Sequence, residues 1–247
     1  MLSFKADLHL HSVLSPCGDL EMSPTAMIST AKQRGLQVMA MTDHNCTQQA
    51  PLVKELGARE DIFVLMGAEI TSKEEAHCLA FVPDETARQK LQTWLDAKLP
   101  KIELDEDKFG YQLIVNEKEE IIGQKEYLLI SAIDATLDEI YSFVHSIGGL
   151  FVPAHVDKPA FSLTSQLGFV PPDIKADALE ISSRVTKENF IKKNAYLKKF
   201  QFLQDSDAHY IPDIAKTYCL LNMQERTFEE FALAVRGQEG RGVEVVL

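Results

Sequence analysis

Phe4-Lys5-Ala6-Asp7-Leu8-His9-Leu10-His11 opens the chain with an apolar run in which Leu8 and Leu10 alternate with His9 and His11. On an extended strand residues i and i+2 point to the same side, so His9 and His11 can present two imidazoles to one ion. The same arrangement, an apolar run ending in histidine or a carboxylate, recurs outward along the chain. Gln37–Thr42 runs into Asp43-His44, Ile62–Ile70 contains Glu69, and Cys78–Val82 begins just after His77. Leu150–Ala154 precedes His155, Ala178–Ile181 contains Glu180, and Phe200–Leu203 leads into Asp205-Ser206-Asp207-Ala208-His209. These are seven strand candidates.

Helical patterns lie between several of them. Ser23-Pro24 reads as an N-cap with proline at the first helical position, and Gly35 as the stop of that helix near Arg34. Thr136 caps Leu137–Ile147, which Gly148-Gly149 ends; Thr186 or Lys187 to Lys199 and Thr227–Arg236 complete the set. Strands alternating with helices predict a parallel α/β architecture. Residues 85–130 break the rhythm: Glu85–Ala97 reads as a helix, and Tyr111–Val115 with Ile121-Ile122 as a β-hairpin, together an insertion in a single domain spanning 1–247.

Six of the seven histidines (His9, His11, His44, His77, His155 and His209) fall at or beside the edges of apolar runs, and only His145 lies inside a helical pattern. In α/β folds the carboxyl ends of strands collect the functional groups. Six imidazoles with Glu69 and Asp207 at one rim make a metal site by composition, with imidazole suiting zinc or iron and carboxylate suiting manganese.

The remaining composition narrows the classes. Lys+Arg total 25 against 37 Asp+Glu, a formal net charge of −12, so no basic footprint for duplex nucleic acid is present. No run approaches the roughly 18 apolar residues of a membrane span, and the start MLSFKADLHLH lacks the basic and apolar regions of a signal peptide. Four cysteines, Cys17, Cys46, Cys78 and Cys219, form no CxxC pair. A cytoplasmic protein is the expectation.

Asp7-Leu8-His9-Leu10-His11-Ser12, Thr42-Asp43-His44-Asn45, Gly67-Ala68-Glu69, His77-Cys78-Leu79, Pro153-Ala154-His155 and Ser206-Asp207-Ala208-His209, in that order, resemble the PHP (polymerase and histidinol phosphatase) family. The resemblance implies a distorted (β/α)7 barrel and two or three divalent ions, Zn, Mn or Fe. It implies one ion on His9, His11, Glu69 and Asp207, a second on Glu69, His77 and His155, and a third on His44, His209 and a residue of the loop after His11. Family members place Asp or His seven or eight residues after the first motif histidine, where this chain has Pro16 and Cys17. Asp19 is preferred over Cys17 as the missing ligand, because its spacing to Ser23-Pro24 matches relatives with aspartate. Lys158 stands where several relatives hold phosphate with a basic residue, and Arg184 follows the sixth strand.

Three residues near these motifs take supporting roles in this reading. Asp7 and Asp43 would orient neighbouring histidines or simply bond to strand ends, and Glu180 would reach a metal-bound water. His145 reads as a helix-surface residue. The implied activity is hydrolysis of a small phosphate monoester such as a nucleoside bisphosphate or histidinol phosphate, with Glu69, Asp207 and His209 at the reaction centre and Lys158 and Arg184 on the substrate. An amidohydrolase, an exonuclease and a non-catalytic regulatory module are the alternatives; degenerate modules lose ligands, whereas here nearly every position is filled.

Overall fold

Each of the seven apolar runs forms a strand in the computed structural model, which describes residues 1–246. In chain order the elements are β1 (Leu2–Asp7), α1 (Pro24–Gln33), β2 (Val38–Met41), α2 (Ala50–Arg59), β3 (Phe63–Thr71), β4 (His77–Val82), α3 (Glu85–Lys98) and α4 (Glu106–Phe109). There follow β5 (Leu113–Val115), β6 (Ile121–Gln124), α5 (Leu137–Ser146), β7 (Leu150–Pro153), α6 (Leu163–Leu167), β8 (Leu179–Glu180), α7 (Lys187–Lys193), β9 (Phe202–Leu203), β10 (Cys219–Met223), α8 (Phe228–Arg236) and β11 (Gly242–Val245).

Seven strands hydrogen-bond in the order β11-β10-β1-β2-β3-β4-β7, while β8 and β9 form a parallel pair. The sheet is mixed. β1, β2 and β3 run parallel as expected, but β4 pairs antiparallel with both β3 and β7. The physical reason is the short link from Thr71 to His77: a parallel neighbour needs a crossover of about a dozen residues, and residues 72–76 permit only a turn. Two strands outside the seven expected ones, β10 and β11, add an antiparallel extension to the free edge of β1.

Period-two alternation divides the strand residues between two cores. Val38, Ala40, Leu65, Leu79 and Phe81 join residues of β1, β7, β9 and β10, with Ala178 just before β8, in one cluster. Met39, Met41, Val64, Met66, Cys78 and Ala80 face the other cluster, which takes Met27 and Ile28 from α1, Val53 from α2, Leu91 and Leu95 from α3 and Ile140 from α5. Because β10 and β7, far apart in the strand order, share the first cluster, the sheet is curled into a distorted, partly closed barrel. Small residues, Ala6, Ala40, Ala154 and Ala178, fit the narrow interior.

The helix ends follow the signals in the sequence. The Ser23 hydroxyl accepts from the Ala26 N–H, and Thr136 forms a capping box with Glu139. α7 stops at Lys193 rather than continuing to Lys199, and a short 3-10 turn, Ala195–Leu197, replaces its last part. α2 fills the link between β2 and β3, which the sequence pattern leaves unassigned. In the 85–130 segment β5 and β6 pair as an antiparallel hairpin. Among the described residues no helix is long and apolar enough to cross a membrane.

Candidate metal centre

β1 ends at Asp7, so the His9-Leu10-His11 segment lies just beyond the strand and is kept extended by neighbours on both sides. The Leu10 N–H donates to the Thr42 hydroxyl, the Thr42 N–H donates to the Leu10 carbonyl, and the His11 N–H donates to the Ala208 carbonyl. His9 and His11 therefore point the same way, with ring centroids 5.1 Å apart. Asp7 and Asp43 fix the surrounding loops. Asp7 accepts from the Ser206 N–H and hydroxyl and from the Ala215 N–H; Asp43 accepts from the Ser12 N–H and hydroxyl and from the Ser15 hydroxyl.

Glu69, on β3, is the hub. Its two oxygens lie 2.9 Å from His77 Nδ1, 3.1 Å from His44 Nδ1 and His155 Nε2, 3.2 Å from His9 Nε2 and 3.4 Å from His11 Nε2. Asp207 Oδ1 approaches His9 Nε2 at 3.4 Å and His11 Nε2 at 3.3 Å. Donors each about 2.0–2.2 Å from a shared ion stand roughly 3.0–3.5 Å apart, which is the spacing found here. Buried His9 Nε2, His11 Nε2 and His44 Nδ1, all facing Glu69, have no hydrogen-bond partner, an arrangement that costs free energy unless a cation uses their lone pairs. The residues fit divalent ions.

Three donor groups are close enough to hold one ion each: His9, His11, Glu69 and Asp207; His44, Glu69 and His77; and His11, His44 and His209. The first matches the set implied by the family resemblance. The second takes His44 where the resemblance implies His155, which reaches the Glu69 oxygen that His77 and His9 also approach and joins none of the three groups. Asp207 and His209 fall in different groups, because Asp207 takes a left-handed φ of 51° and breaks the alternation of the segment. His155 is left-handed as well, at φ 29°. Backbone strain of this kind persists where the surroundings over-determine a residue, as at ligand-holding sites.

Ring orientation comes from behind. His9 Nδ1 lies 3.1 Å from both oxygens of Glu180, so the carboxylate takes the Nδ1–H and leaves Nε2 for the cluster. Glu180 also accepts the His155 N–H. It thus sits behind His9 rather than in front of a bound water. The Ser15 hydroxyl donates to Asp43, so it accepts from His11 Nδ1–H at 3.1 Å and again frees Nε2. His145 is not a free surface residue: its Nε2 binds Asp177 at 2.9 Å, tying α5 to the loop before β8.

Burial opposes the charge on Glu69, yet His77, His9 and His44 hold its carboxyl well below the ordinary range. Burial likewise opposes the charge on Asp207, and His9 and His11 outweigh it. Burial and the nearby His209 push His11 down to about 3, which keeps its ring neutral and able to donate a lone pair. Burial also lowers His44.

The cluster opens to a cavity of about 370 Å³, whose wall includes Cys17, Lys158, Phe161 and Arg184. Lys158 Nζ pairs with Asp207 Oδ2. Neither loop residue joins a donor group; Cys17 lines the cavity, whereas an Asp19 oxygen accepts the Glu21 N–H at 2.8 Å. Gly18 enforces this course, since a Cβ there would meet the Ser12 carbonyl at 2.4 Å. Residue patterns pointed to neither Ser15 nor Phe161; no periodicity or spacing marks either.

The fold has solved counterparts. The lesion-specific endonuclease Q of Pyrococcus furiosus superposes with a TM-score of 0.72 at 18% identity, covering 98% of this chain and 58% of that one. A Bifidobacterium adolescentis protein assigned to the metal-dependent phosphoesterases gives 0.58 at 19% identity, covering 83% and 87%. Endonuclease Q has also been solved with a 27-mer duplex, an abasic lesion at its active site, at a TM-score of 0.67. The expectation against duplex nucleic acid, drawn from net charge, therefore has no support from the fold. In sequence, the uncharacterized Bacillus subtilis protein YqxK is 29% identical over 192 residues, 73% of this chain but 43% of YqxK, so the chain spans less than half of that relative. A PHP domain model matches residues 7–197, well over half of the chain. That match runs from Asp7, where the first histidine motif begins, through His155 and Glu180, and the chain belongs to the PHP family.

Proposed function

We propose that the protein hydrolyses a small phosphate monoester, with nucleoside bisphosphates and histidinol phosphate as the first substrates to test. The observation that carries the reading is Glu69 among five imidazoles, opening to a cavity with Lys158 and Arg184 on its wall. Two or three divalent ions held there, zinc, manganese or iron, would supply an acidified water and Lewis acidity toward the phosphoryl oxygens.

The chain's own groups do the rest. Glu69 turns Oε1 to His9, His77 and His155 and Oε2 to His11 and His44, so one carboxylate is common to two donor groups. Asp207 offers Oδ1 to His9 and His11 and Oδ2 to Lys158, placing one cation beside the cluster. Lys158 then binds a non-bridging phosphoryl oxygen, and exposed Arg184 takes a second anionic group of the substrate. His209, partly exposed and held through Nδ1 by the Asp207 carbonyl at 2.9 Å, turns Nε2 toward the cavity. There it completes the third donor set in the ground state and faces the leaving group.

Release of inorganic phosphate from a panel of nucleotides, histidinol phosphate and sugar phosphates tests the reading, with metal-loaded protein, with chelator, and with Glu69→Gln. Metal-dependent release that the variant lacks is the expected result. Cleavage of amides without phosphate release would select an amidohydrolase instead. A second reading, incision of a nucleic-acid strand, is favoured by the 98% coverage of this chain on endonuclease Q. An abasic duplex in the same panel decides between them.

A further inference from the structure

We infer that Phe161 is a specificity-determining residue whose ring serves as a platform for a planar aromatic part of the substrate, such as a nucleobase. This deepens the phosphate-ester reading and rests on it for the phosphate, though not for the ring.

Phe161 is poorly explained by folding alone. It takes φ 52°, a left-handed conformation that is a genuine outlier for a bulky side chain and that glycine or asparagine adopts more cheaply. It is also 49% exposed, so it adds little to either core. Strain and exposure together point to a contact made outside the chain.

The surroundings say what that contact is. One face of the ring stacks on His77, with centroids 5.0 Å apart and planes 12° from parallel. His77 in turn reaches Glu69 at 2.9 Å. The His77 N–H donates to the Phe161 carbonyl at 2.9 Å, so backbone and ring are fixed to the same residue. The Ser162 hydroxyl bonds the Lys158 carbonyl at 2.6 Å and closes the loop. The ring is thus pre-oriented on the wall of the cavity that also holds Lys158 and Arg184. An offset stack on the open face would leave an attached phosphate within the same cavity, beside these cations. A flexible aliphatic ester would gain nothing from this surface, whereas every base has a π-face to offer.

Adenosine 5′-monophosphate and ribose 5-phosphate share one phosphate linkage and differ in the base, so they isolate the platform. The metal-loaded protein is expected to favour the nucleotide in kcat/KM by roughly tenfold or more. Phe161→Leu should abolish that preference, with the loss falling on the nucleotide rather than on ribose 5-phosphate, and Phe161→Tyr should keep it. No preference in the unaltered protein, or equal losses on both esters, would overturn the inference; equal losses with a fall in bound metal would make Phe161 a mere support for His77. If neither ester releases phosphate, neither is a substrate, and the hydrolytic reading is decided by the wider panel. The platform is then judged by saturation-transfer NMR with adenosine, which carries no phosphate. Transfer to the adenine protons from the unaltered protein and Phe161→Tyr, but not from Phe161→Leu, supports it, and no transfer from the unaltered protein sinks it.

Discussion

At the scale of single residues, the centre depends on which ring nitrogen each histidine leaves free. Glu180 takes the Nδ1–H of His9 at 3.1 Å, and Ser15, itself donating to Asp43, takes that of His11 at the same distance. Removing the charge behind His9 while keeping its shape should make Nε2 a poorer donor. Glu180→Gln is therefore expected to weaken metal affinity or activity by about 10–100-fold, read by metal titration and phosphate release. Lys73→Ala, which breaks only an exposed pair with Asp134, should change neither. Unchanged affinity in Glu180→Gln would reduce its bond with His9 to simple packing. The loop after His11 gives a second test. Cys17 stands on the cavity wall near His44 and His209, and the Asp19 carboxylate is engaged with the Glu21 N–H. We expect Cys17→Ser to lower occupancy beside His11, His44 and His209 and to weaken any preference for zinc over manganese, with Asp19→Asn nearly silent. Metal analysis showing the reverse order would return the ligand role to Asp19.

At the scale of elements, the close approach of β3 and β4 sets where Glu69 and His77 stand. Glu69 pairs with Leu79 and Thr71 with His77 across these strands, and a Cβ on Gly67 would lie 2.3 Å from the Ala80 carbonyl. Gly67→Ala must push the strands apart two residues from the hub. It should cost about 1–3 kcal/mol of stability by denaturant midpoint and lower metal content as well. Stability lost with metal content intact would show that the hub tolerates a shifted strand. The same pair marks a limit of reading from sequence. The apolar runs and their terminal histidines were legible because a period of two and local punctuation are properties of neighbouring residues. Strand direction is not: nothing in His77–Val82 itself says that β4 runs against β3, and the evidence lay in the five-residue link. Glu180 was legible as a carboxylate near the rim, but its partner His9 is 171 residues away, so its place behind the ring exists only after folding. What sets Cys17 apart from Asp19 is one Asx-type turn and one glycine contact, both below the resolution of spacing arguments. β10 and β11 were missed because CLLNM before the last helix and GVEV after it are short and carry none of the histidine or carboxylate motifs, and only folding lays β10 on β1 and β11 on β10.

At the scale of the whole molecule, the donor groups come from nearly every side of the barrel. His9 and His11 follow β1, His44 follows β2, Glu69 lies on β3, His77 opens β4, His155 follows β7, and Asp207 with His209 follow β9. Their convergence gathers Glu69, Asp207 and Glu180, three carboxylates, in a chain that already carries a net charge of −12. Cations bound there would both neutralise that cluster and cross-link strands that have no direct ladder between them. Because the unfolded chain scatters these donors from residue 9 to residue 209, the ions bind the native state selectively, and each saturated site adds stability by mass action. At a free-ion concentration about a hundred times the dissociation constant, one site contributes roughly 2.7 kcal/mol. For a chain of this size each kcal/mol moves Tm by about 2–4 °C, so stripping a single tight site should lower it by some 5–10 °C. Thermal denaturation with and without chelator, followed by re-addition of zinc or manganese, measures this directly. Glu69→Gln should melt near the chelated protein and respond weakly to added metal, since the carboxylate common to two donor groups is gone. A Tm indifferent to chelator and to Glu69→Gln alike would mean that the barrel holds its histidines together without ions, and the metal reading would fall with it.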